Sequence, residues 1–86
     1  MTNPKSGKGF KANVRAGKYH LRLKVEHTPT GWVATVAERK GNREVDRKMF
    51  DSAGAGKKHA EEVAKRYLAN QDFKIPSVIW RIIASG

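Results

Sequence analysis

Apolar and polar residues alternate along the first half of the chain and then change period. From Lys18 to His27, Tyr19, Leu21, Leu23 and Val25 fall on one side, and His20, Arg22, Lys24 and Glu26 on the other. A period of two with one wet face predicts a half-buried antiparallel strand. Thr28-Pro29-Thr30-Gly31 supplies a tight reversal, so the next strand pairs with it as a hairpin. That second strand, Gly31 to Arg39, carries Trp32, Ala34 and Val36 on one side and Val33, Thr35 and Ala37 on the other, which suits the central position of three. Lys40-Gly41-Asn42 forms the second turn. The third strand, Arg43 to Phe50, alternates least regularly and reads as an edge strand, guarded by its charges.

Beyond it the period becomes helical. Ala60, Val63, Ala64, Tyr67 and Leu68 recur at the spacing of one helix face, within a run from Lys57 to Leu68. Asp51, Ser52, Gly54 and Gly56 make the connection, with Asp51 or Ser52 placed to cap the helix. At the end, Val78 to Ile83 is rich in β-branched residues and predicts a short strand, with a short helix capped by Ser77 as the alternative. The expected fold is α+β: a three-stranded antiparallel sheet packed on one α-helix, with a short C-terminal strand or helix. Residues 18–86 form this single small domain, and residues 1–17 a flexible basic arm in which only Phe10 and Val14 are sizeable apolar side chains.

Charge changes the picture most. The 86 residues carry 18 Lys and Arg against 8 Asp and Glu, a net charge of +10. All seven bases up to Lys24 (Lys5, Lys8, Lys11, Arg15, Lys18, Arg22 and Lys24) precede the first acid, so the excess is concentrated on the arm and first strand. Such a concentration attracts a polyanion. The alternative is a merely solvated charge run. Lys57 and Lys58, after Gly54-Ala55-Gly56 at the start of the helix, form a second candidate anion site, although the run lacks P-loop spacing and reads first as a plain helix start.

Other chemistry finds little support. There is no cysteine, which removes disulfides and thiolate metal sites and fits a reducing cytoplasm. His20, His27 and His59 have no metal-ligand spacing, and Ser52, His59 and Asp51 lack the surroundings of a catalytic triad. No enzyme, metal or cofactor is expected. No apolar run approaches the roughly 20 residues of a membrane span. Trp32 and Tyr19 are core candidates first and base-stacking candidates second.

The order GWVATVAER, KGN, MFDS and AEEVAKRYLA resembles the DNA-binding domain of plant apetala/ethylene-response transcription factors, and the related arm-binding domain of phage and transposon tyrosine integrases. The likeness runs from Tyr19 to Ala69. It implies a sheet laid in the DNA major groove, with Arg22, Lys24, Thr35, Ala37 and Arg39 facing DNA and Ala34, Val36, Ala60 and Ala64 facing the helix. The chain departs from the pattern at Glu44 and Asp46, which stand where the family carries Arg and aromatic readers, and at Gly54–Lys58, which lengthens the turn before the helix.

The combined reading is a small, non-catalytic DNA-binding protein of modest sequence specificity, of the kind phages and mobile elements encode. It acts as a monomer or homodimer in the cytoplasm. Lys5, Lys8, Lys11, Arg15 and Lys18 neutralise phosphates, Arg22, Lys24 and Arg39 hold the duplex, and Lys57 and Lys58 supply the further anion site. RNA is a possible substitute for DNA. The alternative from another class is an inhibitor that binds a host nuclease or polymerase complex through the sheet or the C-terminal segment.

Overall fold

The computed structural model describes residues 9–41, 43–70 and 78–82. Among these residues five strands and one helix follow in order: β1 (Gly9–Ala16), β2 (Tyr19–Thr28), β3 (Gly31–Glu38), β4 (Arg43–Phe50), α1 (Ala53–Ala69) and β5 (Arg81–Ile82). They form one sheet in the spatial order β4-β3-β2-β1-β5, antiparallel at every pairing, with α1 packed on one face. The class is α+β, but the expected three-stranded sheet is corrected to five strands. One addition comes from the segment read as an arm, the other from the tail.

Gly9–Ala16 becomes a strand because its small apolar residues alternate as regularly as those of β2. Ala12 and Val14 are almost fully buried, while Lys11, Asn13 and Arg15 are exposed. Gly17, at a φ of 59°, turns the chain back in a two-residue reversal, and Gly9 to Ala16 pairs residue by residue with Glu26 to Tyr19. β2 rather than β3 is therefore the central strand. The C-terminal segment takes the strand form over Arg81–Ile82, pairing with Phe10 and Lys11. Lys5, Lys8, Asn42, Ser77 and Ile83 lie outside the described residues.

The core is a single layer between sheet and helix. Ala12, Val14, Leu21, Leu23, Val25, Ala34 and Val36 meet Ala60, Ala64 and Leu68, all at 2% exposure or less. The helix begins earlier than its apolar period suggests, so Gly54–Lys58 is its first turns and not a longer connection. Ser52 is the cap, and its Oγ accepts from the Ala55 N–H at 3.2 Å. Two glycines inside a helix each cost about 1 kcal/mol relative to alanine. Gly56 offsets this by letting the helix sit close: a Cβ there would lie 3.1 Å from Val25 Cγ1. Gly31, with φ at 145°, opens β3 where a Cβ would come within 2.8 Å of the Phe50 carbonyl oxygen.

β4 is an edge strand, as its charges suggest, and its irregularity is a bulge. Val36 pairs with Asp46 but Ala37 pairs with Glu44, leaving Val45 as an extra residue. Without it, Glu44 and Asp46 would share a face. With it, Asp46 turns to the helix side, where its Oδ2 lies 2.7 Å from His59 Nε2, and Val45 packs against the core. Glu44 stays on the opposite side.

Candidate nucleic-acid interface

The sheet face opposite the helix is uncovered among the described residues. Directly paired residues of an antiparallel sheet point the same way, so the register assembles this face row by row. One row crosses all five strands: Arg81, Lys11, Lys24, Thr35 and Arg47. Beside it run Asn13, Arg22, Ala37 and Glu44. Next come Arg15 and His20, with Arg39 alongside, its backbone N–H donating to the His20 carbonyl at 2.9 Å. On the far side of the first row lie Gly9, Glu26, Val33 and Met49.

Among the described residues seven cationic side chains thus share the face with two carboxylates: Lys11, Arg15, Arg22, Lys24, Arg39, Arg47 and Arg81 against Glu26 and Glu44. Each carboxylate has one of the cations close by, Glu26 at 3.9 Å from Lys24 and Glu44 at 3.0 Å from Arg47. Among the described residues Lys11, Arg15, Arg22, Arg39 and Arg81 form no salt bridge, so they retain donors for an incoming anion. A shallow depression of about 230 Å³ lies between Lys11, Asn13, Arg22, Lys24 and Arg39.

His20 reports the field of this face. Burial lowers its pKa from the usual 6.5, and the neighbouring guanidinium groups of Arg15, Arg39 and Arg22 lower it further. Its Nε2 lies 3.1 Å from Asn13 Oδ1. On the helix side, Tyr67 donates its hydroxyl to Glu38 Oε2 at 2.8 Å, and that bond, with burial, raises the Tyr67 pKa.

Of the residues selected from the sequence, Lys11, Arg15, Arg22, Lys24 and Arg39 converge on this face. The rest do not. Lys18 sits in the β1–β2 turn with its ammonium 5.8 Å from the Tyr19 ring. Lys57 and Lys58 lie on α1, across the sheet, and Lys57 Nζ is 3.6 Å from the Phe10 ring centre. Arg47 and Arg81 were missed. Nothing in the tail's sequence marks Arg81 apart from its interruption of an apolar run, and the bulge obscures the side taken by Arg47.

The rings are elsewhere. Trp32 packs near Phe10 and His27, Tyr19 meets Tyr67 edge-on, Phe50 lies by His59, and the Trp80 indole N–H donates to Glu61 Oε2 on the helix at 2.7 Å. Among the described residues no Phe, Tyr or Trp stands on the open face, so neither Trp32 nor Tyr19 offers a stacking surface there. No group of three or more His, Asp or Glu residues among those described could hold a metal ion, and no described helix is long and apolar enough to cross a membrane.

No family model matches the chain, and no curated protein or solved structure does.

Proposed function

We propose that this chain binds double-stranded DNA through the open face of its sheet, in a non-catalytic role. The observation that carries the reading is the division of the sheet into two chemically opposite sides: a helix-covered apolar side and a wet side with seven cations and two paired carboxylates. Arginine and lysine held on a rigid sheet neutralise phosphates and release counterions, and that term supplies most of non-specific affinity. Proteins that hold single strands combine a basic groove with aromatic platforms on which bases stack. A basic face without rings suits a duplex, whose bases are already stacked. This role fits a cytoplasmic chain with access to DNA.

The test compares opposite sides of the molecule. Replacing Arg22 and Lys24 together by alanine is expected to weaken duplex binding at least tenfold, read by fluorescence anisotropy. The same net loss of charge at Lys57 and Lys58 is expected to change it less than threefold. Equal losses from the two pairs would show attraction by net charge alone, with no defined face.

A second reading is favoured by Ile79 and Ile82, which are 72% and 76% exposed on the C-terminal segment. Exposed isoleucines suit a protein partner, and an inhibitor of a host nucleic-acid enzyme would use them together with the basic face.

A further inference from the structure

The width of the sheet bears on how a duplex would lie against it, given the reading of the open face above. Adjacent strands are about 4.8 Å apart, so β2, β3 and β4 alone would span about 10 Å between their outer axes, narrow enough for a major groove about 12 Å wide. β1 and β5 extend the sheet to four strand spacings, about 19 Å. A sheet of that width does not enter the groove. The added strands are not inert margins either, since they contribute Lys11, Arg15 and Arg81 to the open face.

We propose that the face lies across a groove of the duplex, with Arg81 on β5 and Arg47 on β4 holding phosphates of opposite strands, so that affinity comes from the backbone and is nearly independent of base sequence. Both residues stand in the single row that crosses all five strands, at its two ends. Between them lie Lys11 and Lys24, then the short Thr35. Arg81 is held in place although its strand has only two residues. Its neighbour Trp80 packs against the core and donates to Glu61 on the helix, and Arg81 itself pairs with Lys11. Arg47 is oriented by Glu44, whose Oε1 accepts from Nε at 3.1 Å and lies 3.0 Å from Nη2, leaving other guanidinium N–H groups for phosphate.

The clasp between Trp80 and Glu61 makes the proposal testable against simple charge counting. Glu61→Ala makes the chain more cationic, so net charge alone predicts tighter binding. Loss of the anchor for Arg81 predicts weaker binding.

The experiment is a salt titration of the full chain, by fluorescence anisotropy, on several duplexes of unrelated sequence, with circular dichroism to confirm folding. Arg81→Ala and Arg47→Ala are each expected to weaken binding about three- to tenfold by the same factor on every duplex, and to make the log–log salt slope shallower by about 0.9, the loss of one phosphate contact. Glu61→Ala and the charge-neutral Trp80→Phe are expected to weaken binding in the same direction as Arg81→Ala. An unchanged slope in Arg81→Ala, tighter binding by Glu61→Ala, or a preference of more than about tenfold for one duplex that Thr35→Ala abolishes would overturn the straddling geometry while leaving the basic face as the binding site. Failure of the folded wild-type chain to bind any duplex would overturn both.

Discussion

His20 is the residue at which the chemistry of the open face can be read without a ligand. Asn13 and Arg15 on β1, Arg22 on its own strand and Arg39 just beyond β3 surround it, while the helix lies on the other side of the sheet. Because its pKa in the folded protein is below 6.5, the unfolded chain takes up a proton first as the pH falls. Its contribution therefore lowers stability as the pH drops from about 6.5 toward the folded value. Phosphate on the neighbouring arginines would offset their contributions to the lowering, though not the largest one, which is due to burial, so binding is expected to take up a proton as the pH falls. Duplex affinity is therefore expected to increase as the pH falls from about 6.5 toward the folded value. His20→Gln should flatten part of that rise and part of the fall in thermal midpoint. An affinity that is independent of pH, or a rise undiminished in the variant, would disconnect His20 from the bound anion.

At the scale of elements, two acids two positions apart illustrate how structure overrides alternation. In sequence Glu44 and Asp46 look equivalent, and both would repel phosphate from the third strand. The bulge at Val45 sends Asp46 to His59 on the helix side and leaves Glu44 on the open face beside Arg47. Glu44→Gln is expected to tighten duplex binding about two- to fivefold, because it removes a carboxylate from the face while the amide oxygen can still orient Arg47. Asp46→Asn should leave affinity within about twofold and lower the thermal midpoint through the weakened contact with His59. Equal effects of the two on affinity would contradict the bulged register.

The same strand marks a limit on what could be read in advance. β2, β3, the two turns after them and the apolar face of α1 were legible because Leu, Val, Trp, Pro and Gly stand at positions where period and turn chemistry agree. β1 carries a weaker signal, although Phe10, Ala12, Val14 and Ala16 alternate with Lys11, Asn13 and Arg15. Alanine gives a weak hydrophobic signal, and the surrounding glycines and bases suggested an arm. The local clue to the strand is the Gly17-Lys18 reversal. The helix start was obscured differently: Gly54 and Gly56 lower helix propensity, while the close approach of Gly56 to Val25 emerges only once sheet and helix are together. Among the candidate site residues, alternation gives the face taken by Arg22 and Lys24 on β2 and by Arg39 just beyond β3, whereas the bulge hides that of Arg47 and a long-range pairing that of Arg81.

For the molecule as a whole, the fold separates apolar burial from charge. The helix side takes the aliphatic core and the rings, and the open side takes seven of the cations in a layer one side chain deep. The central claim is that this layer binds DNA by neutralising its phosphates, and the most direct measurement is the salt dependence of duplex affinity for the intact chain. About five phosphate contacts predict a linear fall of log affinity against log salt with a slope near −4 to −5. A flat dependence would contradict the account.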